Sequence, residues 1–400
     1  MFNARTVSTR RPQALWLPAL LCLLLLPLKA TAQEPEAQRT GDSGELAAAA
    51  APNAQDEAAR DEAKSGEAES EDSQRRQRRI IHDRVSVVGS QEAAREIPGS
   101  AHFLSQEQLE EQSYSDVHRI LTAVPGVYFQ EEDGLGLRPN IGIRGTGVER
   151  SSKITLMEDG VLIAPAPYTA PSAYYFPTAG RMEGIEVRKG SSAIQFGPRT
   201  NGGVLNLISR SAPAQLGGRV ELAGGDHDTR RGHIYAGDSG ERFSWVAESY
   251  QLHSEGFKNL DGGGDTGVEL EDYLLKLRVT SAPTAAHYQA LELKLGKTLQ
   301  DGNETYLGIT ESDFLDTPYR RYAASALDNI EADHEQIQLS HFLQLSSKLD
   351  LTTVAYNNDF FRDWFKNESV LGVSNATVLA NPELYARELA ILRGEEDSPE

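Results

Sequence analysis

The segment Asp272–Thr280 reads D-Y-L-L-K-L-R-V-T, in which apolar Tyr273, Leu275, Leu277 and Val279 interleave with polar Asp272, Lys276 and Arg278. The same alternation returns in two later segments, 291–295 and 336–345. Successive side chains of a β-strand point to opposite faces, so each segment is predicted to be a strand with one apolar and one polar face. A transmembrane barrel and a soluble β-sandwich both contain such strands, and the alternation alone does not separate them.

The links between the alternating segments separate the two alternatives. Short turns are predicted at Asp238–Gly240, Ser281–Ala285 and Ser346–Lys348. The other links are long, and they cover 254–266, 300–331 and the stretch from Asn367 onward. Short turns that alternate with long loops are typical of outer-membrane barrels. We therefore expect a membrane β-barrel, of which about seven antiparallel strands are present, near 219–225, 229–237, 241–253, 267–280, 287–299, 332–346 and 349–365.

The first 32 residues have the pattern of a cleaved signal peptide. Three arginines precede the leucine-rich stretch Leu15–Leu28, and Ala30-Thr31-Ala32 follows it. A basic region, an apolar core and small residues at the end are what export with cleavage after Ala32 requires. A helix needs roughly 20 apolar residues to span a bilayer, and the chain has no such stretch. We therefore expect any membrane crossing to be made by strands.

Composition restricts the function further. Residues 33–79 contain few large apolar side chains and are predicted to be a disordered periplasmic linker. A formal net charge of −20 argues against a nucleic-acid partner. The single cysteine, Cys22, lies in the predicted signal peptide, so we expect no thiol chemistry. No enzyme activity and no catalytic metal are expected, because several histidines are scattered without ligand spacing: His102, His118, His227, His233 and His253.

Residues 90–212 predict a small α+β domain. Ser105–Gln108 has a helix-capping sequence, and Asp116–Val124 predicts a second helix that ends at Pro125-Gly126. Short strands joined by glycine-rich turns are expected at 127–130, 141–144, 154–158, 185–189 and 204–209. The glycines form no complete phosphate-binding motif, and tight turns explain them better.

An ordered set of motifs in this domain resembles the plug of TonB-dependent outer-membrane receptors. The motifs are Ile141-Gly142-Ile143-Arg144-Gly145, Met157-Glu158-Asp159-Gly160-Val161, Ile185-Glu186-Val187-Arg188-Lys189-Gly190, Phe196-Gly197-Pro198 and Asn201-Gly202-Gly203-Val204-Leu205-Asn206. The resemblance implies a barrel of about 22 antiparallel strands that encloses this plug. Residues 213–400 would be the N-terminal part of that barrel, and the chain a fragment. The implied location is the bacterial outer membrane, in contact with lipid and lipopolysaccharide.

The resemblance also assigns roles to particular residues. Residues 80–89 resemble the TonB box, which would bind TonB of the TonB–ExbB–ExbD complex by adding a strand to its sheet. The residues that would make this contact are Asp83, Arg84, Val85, Ser86 and Val87. An ordinary first strand of the plug is the alternative interpretation. The residues that match the ionic lock between plug and barrel in related receptors are Arg144, Glu186 and Arg188.

Two segments of the long loop, Asn303–Gly308 and Pro318–Ser325, resemble the ferric dicitrate receptor branch. Arginines beside tyrosines suit an anionic, oxygen-rich chelate, because a guanidinium group binds a carboxylate through two hydrogen bonds. The candidate ligand-binding residues are Arg138, Arg150, Tyr168, Arg320 and Arg321. Loop packing is the alternative role for each of them.

The expected function is TonB-dependent import of a ferric siderophore, with ferric citrate or a related carboxylate chelate as the leading candidate. Another siderophore, cobalamin or a sugar is the alternative cargo. Ferric ion is hard and prefers oxygen donors, so the iron would travel inside the chelate. No cofactor and no metal site built by the protein are required for that function.

Overall fold

The computed structural model describes residues 86–112, 115–163, 175–282, 285–346 and 348–398, all within one compact unit, Glu67–Glu400. The predicted signal peptide and linker lie outside the described residues. So do Asp83, Arg84 and Val85 of the predicted TonB box, and the candidate ligand residue Tyr168. Among the residues described, no helix combines the length and the apolar character needed to span a membrane.

The predicted plug begins with three short helices. They are α1 (Gln91–Glu96), α2 (Gln106–Gln112) and α3 (Val117–Leu121). Ser105 and Gln108 cap α2 as predicted: the Ser105 amide donates to Gln108 Oε1 at 3.0 Å, and the Gln108 amide donates to Ser105 Oγ at 3.4 Å. Helix α3 ends earlier than predicted, because the chain turns at Thr122 before it reaches Pro125.

The plug contains a five-stranded mixed sheet in the order β1-β6-β7-β4-β5, and a separate hairpin of β2 and β3. The strands are β1 (Ser100–Leu104), β2 (Val127–Gln130), β3 (Asn140–Ile143), β4 (Ile154–Glu158), β5 (Val161–Leu162), β6 (Met182–Lys189) and β7 (Gly203–Ser209). Strands β4 and β7 run parallel, and the other neighbours run antiparallel. Buried aliphatic side chains of this sheet pack against α3 and form the main core.

The second part of the chain forms a seven-stranded antiparallel sheet, which we call the wall sheet. Its order is β16-β15-β13-β12-β10-β9-β8, so each strand pairs with the preceding long strand of the chain. The strands are β8 (Gly217–Gly224), β9 (Arg230–Ser239), β10 (Phe243–Ser254), β12 (Val268–Thr280), β13 (Tyr288–Gly302), β15 (Asn329–Ser346) and β16 (Leu349–Phe365). The predicted fold class is confirmed for the described residues: an α+β plug is followed by an antiparallel sheet of wall strands.

The wall sheet has a polar inner face and an apolar outer face, which is the reverse of the arrangement in a soluble sandwich. The face against the plug carries buried polar side chains, among them Asp272, Lys276 and Lys294. The outer face carries the predicted apolar side chains, and these are exposed: Val279 is 54% and Ile337 is 52% accessible. A sandwich would bury its apolar face against a second sheet. An exposed apolar face with a polar inner face is the arrangement of a membrane-facing barrel wall.

The long loops form a small packed structure of their own. It contains the short strands β11 (Asn259–Leu260) and β14 (Arg320–Arg321), the helix α4 (Glu311–Asp316), the hairpin of β17 (Ser369–Val370) and β18 (Val373–Ser374), and the helices α5 (Asn375–Ala380) and α6 (Ala386–Arg393). Strands β11 and β14 pair with each other in parallel. A second apolar cluster, which includes Leu307, Tyr322, Val378 and Leu392, holds these loops together.

Candidate functional site

The first described residues, Ser86–Gly89, wrap around one buried carboxylate of the plug. Glu186 is fully buried on β6, and its Oε1 accepts hydrogen bonds from Ser86 Oγ at 2.6 Å, from the Val88 amide at 3.2 Å and from the Gly89 amide at 2.7 Å. Its Oε2 accepts from the Val87 amide at 2.8 Å and from Asn206 Nδ2 at 2.8 Å. We call this arrangement the Glu186 clasp.

The clasp also has a cationic and an apolar contact. Arg188 donates to the Val87 carbonyl at 3.0 Å, and Val87 and Val88 are buried against Met157, Ala193 and Val204. The segment is bent and contains no strand, so Ser86–Gly89 is not an edge strand of the plug sheet. Five donors around one buried carboxylate satisfy the hydrogen-bonding capacity of both its oxygens.

The clasp lies at the end of the wall sheet where the short turns are. Ser86 and Gly89 line a cavity of about 280 Å³ that Arg278, Ala290 and Phe342 also line. Arg278 and Ala290 flank the predicted turn at Ser281–Ala285. We call this end of the wall sheet the short-turn end, and the opposite end the long-loop end.

Glu186, Arg188 and Arg144 therefore lie elsewhere than the ionic-lock expectation placed them. The partners of Glu186 and Arg188 all belong to the plug or to Ser86–Gly89, because β6 lies in the interior of the plug sheet between β1 and β7. Arg144 follows β3, has a left-handed backbone (φ 52°), and exposes its side chain. Among the described residues, other side chains make the ion pairs between plug and wall sheet.

The plug and the wall sheet are joined by a buried network of ion pairs. Arg181 of the plug lies 3.0 Å from Glu158 and 2.7 Å from Asp272 of β12. Lys294 of β13 lies 2.8 Å from Glu158 and 2.6 Å from Asp159. Further buried contacts are Lys276 with Asp159 at 3.3 Å, Thr178 with Asp272 at 2.6 Å, and Arg210 with Glu248 at 2.7 Å.

The acids of this network are held in the charged form. Burial alone would raise the pKa of Glu158, but the Arg181 guanidinium and the Lys294 ammonium outweigh it and lower the pKa to about 2. Burial opposes ionisation of Asp159 as well, and Lys276 and Lys294 hold its pKa below the ordinary value. Buried charges are stable only when each is paired and hydrogen-bonded, as here. Glu158 and Asp159 belong to the plug motif Met157–Val161, and no sequence pattern indicates which residues pair with them.

At the long-loop end, the plug contacts the start of the loop after β13. Arg138 is buried and forms an ion pair with Glu304, and its Nε and Nη1 have no hydrogen-bond partner in the described part of the chain. The Asp133 carboxylate shapes the loop that precedes Arg138. It accepts hydrogen bonds from the amides of residues 135 to 138 at 2.6 to 3.0 Å. A small cavity of about 30 Å³ lies beside Arg138, between the plug and this loop.

Arg150 lies in a group of basic and aromatic side chains, which we call the apical cluster. Its members are Arg150, Tyr306, Arg362, Trp364 and Lys366. Arg150 Nη1 donates to Tyr306 Oη at 2.6 Å, and Tyr306 Oη donates to Glu132 at 2.7 Å. The Lys366 ammonium lies 4.6 Å from the centre of the Trp364 ring. Burial and the neighbouring Glu132 raise the pKa of Tyr306 to about 12, so its hydroxyl remains a neutral donor.

The structure gives the other ligand candidates different surroundings. Arg320 pairs with Asp261 at 2.9 Å and with Asp313 at 3.2 Å. Arg321 is 3% accessible and donates to the Ser325 hydroxyl at 2.8 Å, to the Ser325 carbonyl at 2.7 Å and to the Asn303 carbonyl. These contacts fit the loop-packing alternative for both residues. Arg150 is 27% accessible and belongs to the apical cluster. Arg320 also lies 5.2 Å from the centre of an aromatic ring, but that ring belongs to the fully buried Tyr322.

The sequence interpretation missed Arg362, Trp364 and Lys366 of this cluster. These residues alternate at the end of β16 and its continuation, where a barrel strand places every second side chain inside. That alternation of basic and aromatic residues was the available signal.

Comparison with known proteins agrees with this architecture. Residues 93–204 match the sequence model of the TonB-dependent Receptor Plug Domain. The iron-regulated outer membrane virulence protein of Vibrio cholerae is 31% identical over 146 residues, which are 35% of this chain and 21% of the relative. The vitamin B12 transporter BtuB of Photobacterium profundum is 27% identical over 185 residues, which are 42% of this chain and 30% of the relative. The chain thus spans less than a third of either relative.

The fold has a counterpart among solved structures. The crystal structure of the ferric citrate transporter FecA in the unliganded form has a TM-score of 0.58, at 19% sequence identity, over 70% of this chain and 43% of that chain. At this identity the likeness concerns the fold.

Proposed function

We propose that the full-length protein imports a ferric siderophore. The premise is that this chain carries the plug and wall strands of a TonB-dependent receptor of the bacterial outer membrane. Ferric citrate or a related carboxylate chelate is the proposed ligand. The curated relatives are named for iron regulation and for vitamin B12 transport, so another siderophore or cobalamin is the alternative.

The observation that carries the proposal is the placement of two polar sites at opposite ends of one plug. The apical cluster lies at the long-loop end, and the Glu186 clasp lies at the short-turn end. The buried ion pairs of Lys294 and Arg181 lie between the two and join the plug to the wall sheet. An importer needs this order: a ligand site outside, a closed plug between, and a coupling segment inside.

The apical cluster supports an anionic ligand. Arg150, Arg362 and Lys366 bring three cations together around two aromatic rings. A protein of net charge −20 repels anions at long range, so a carboxylate chelate needs such a local positive surface. The guanidinium of Arg150 can bind a carboxylate by two hydrogen bonds once the ligand competes with Tyr306 and Glu132.

The coupling partner in this proposal is TonB of the TonB–ExbB–ExbD complex. The segment Asp83–Val87 would bind TonB by adding a strand to its sheet, chiefly through main-chain hydrogen bonds. The clasp holds Val87, the last residue of this segment, and the nearby Gly89 to β6. Force applied to the segment would therefore reach the middle of the plug sheet through Glu186.

Ligand binding by the full-length protein tests the cargo. Titration with ferric citrate, a ferric hydroxamate and cyanocobalamin should show tightest binding of ferric citrate, and Arg150→Ala should weaken it about 10- to 150-fold, the loss expected for one charge-assisted hydrogen bond. Arg387→Ala is the matched control, because Arg387 is exposed on α6 and pairs only with Glu396 among the described residues. Tighter binding of cyanocobalamin or the hydroxamate than of ferric citrate would refute ferric citrate as the cargo.

Uptake by cells tests the coupling role separately. Val85→Pro should abolish energised uptake and leave ligand binding intact, because proline removes a main-chain donor and disfavours the paired strand. Val85→Ala is the control, since it retains the amide. Normal uptake by the proline variant would refute the assignment of residues 80–89 to TonB binding.

A further inference from the structure

Three side chains of types that can ligate a metal ion lie close together where α3 begins and β2 ends. Asp116 precedes α3, His118 lies in its first turn, and Glu131 follows β2. Their nearest ligand atoms all lie within 4.8 Å of one another. The spacing of these residues in the sequence gives no metal-binding motif, and the proximity arises from the packing of β2 against α3.

His118 provides a second and independent observation. It is 1% accessible, and neither of its ring nitrogens has a hydrogen-bond partner among the described residues. Buried polar nitrogens nearly always have one, so both nitrogens of this imidazole can still accept a ligand. The Phe129 ring packs at 4.7 Å from the His118 ring and supplies no acceptor.

The distances around His118 agree with a shared ion. Its Nδ1 lies 3.1 Å from Asp116 Oδ1 without the geometry of a hydrogen bond. Two ligands that each lie about 2.0–2.1 Å from a tetrahedral ion are about 3.3 Å apart. The Asp116 carboxylate is also oriented, because Oδ1 accepts the His118 amide at 2.8 Å. Such support from the main chain is what metal-binding carboxylates commonly have.

We propose that Asp116, His118 and Glu131 form a site for a divalent transition-metal ion with the ligand preferences of Zn²⁺. One imidazole nitrogen and two carboxylates would be the protein ligands, and water would complete the shell. Exposed Glu131 leaves the site open to solvent on one side, so an ion can enter without unfolding of the plug. The site is independent of the proposed transport function.

An ion bound at this site would restrain the surface of the plug at the long-loop end. The loop between β2 and β3 runs over Asp116, and Gly136 lies so close that an added Cβ would overlap the Asp116 carboxylate. The same loop carries Arg138, which pairs with Glu304 of the long loop. An ion that joins Glu131 to Asp116 and His118 would therefore restrain the loop that holds Arg138.

The test is metal binding by the full-length protein after removal of metal with a chelator. Calorimetric titration with Zn²⁺ in excess Mg²⁺ should show one site per chain. Glu131→Gln should weaken that site at least 10-fold, and His118→Gln should abolish it. Glu107→Gln is the matched control, an exposed acid on α2 that should leave binding unchanged. Bound Co²⁺ should give the intense visible absorption of a four- or five-coordinate ion.

The outcomes decide the proposal even where a variant folds poorly. Glu131 is exposed, so Glu131→Gln tests the site without disturbing the core. Zn²⁺ binding that is equal in wild type and Glu131→Gln, or that excess Mg²⁺ removes, would show adventitious binding to an acidic surface and overturn the proposal. A Co²⁺ spectrum identical to that of the aqueous ion would overturn it as well, and would assign the His118 nitrogens to ordered water.

Discussion

Lys294 on β13 places its ammonium 2.6 Å from the Asp159 carboxylate of the plug, where Lys294 is buried and Asp159 is partly buried. Asp159 occupies the turn after β4 with a left-handed backbone (φ 48°), and it also accepts the Ser209 amide at 3.0 Å and the Ser209 hydroxyl at 2.5 Å. One residue of the wall sheet is thereby tied to the turn that joins β4 to β5 and to the end of β7.

Lys294→Met should loosen the plug strongly. The substitution removes the shared cation and leaves Glu158 and Asp159 with fewer partners, which costs about 3–5 kcal/mol for a broken buried pair. Lys297→Met is the control, because Lys297 lies on the outer face of the same strand, pairs with Glu335, and should contribute about 1 kcal/mol or less. Urea titration followed by hydrogen exchange of the β4 and β7 amides measures the difference. Equal effects of the two substitutions would contradict the network.

Stability of the plug should fall in acid. The pKa of Glu158 is lowered from 4.5 to about 2 in the folded protein, so its ionisation favours folding by on the order of 3 kcal/mol. This contribution is complete above about pH 4.5 and is lost as the pH falls from there towards 2. Asp159, whose pKa is also lowered, adds in the same direction. Urea midpoints measured between pH 7 and pH 3 should decrease for wild type and change less for Glu158→Gln.

Glu186→Gln should release Ser86–Gly89. Both oxygens of Glu186 accept at least two hydrogen bonds, so a side-chain amide in either orientation would direct its NH₂ group at donors. Each charge-assisted bond lost costs about 1.5–3 kcal/mol, which predicts exchange of the Val87 and Gly89 amides that is at least 10-fold faster. Glu183→Gln, on the same strand with its contacts at Ser211, is the control. Unchanged protection of these amides would mean that the clasp does not hold the segment.

Arg321→Ala should open the packed long loops and leave the wall sheet intact. Arg321 is buried and donates to four groups of the loop, the Ser325 hydroxyl and the carbonyls of Asn303, Ser325 and Asp328, so its loss leaves several acceptors unsatisfied. Cleavage of residues 303–328 by added protease should be about 10-fold faster than in the Arg387→Ala control. If protease resistance is retained while ferric citrate binding is lost, Arg321 contacts the ligand and the loop-packing role is refuted.

The local pattern of the sequence predicted each long strand of the wall. Alternation along Asp272–Thr280 and its counterparts depends only on the geometry of one strand. The strands observed at 268–280, 288–302 and 349–365 accordingly begin and end within a few residues of the predicted bounds. The glycine-rich turns of the plug are local features too, and Asp159-Gly160 is left-handed at both residues as a tight turn requires.

The partners of the charged side chains were decided by the tertiary structure alone. Alternation shows that Lys294 and Lys276 share one face of the wall, but it does not show which plug residue meets them. Glu158 precedes Lys294 by 136 residues, and Glu186 follows Gly89 by 97. Glu186 and Glu158 are both acidic residues on plug strands, yet one binds the segment before α1 and the other binds the wall. A side chain carries its charge in the sequence, but its partner is set by the packing of elements far apart in the chain, because an ion pair forms only where two surfaces meet.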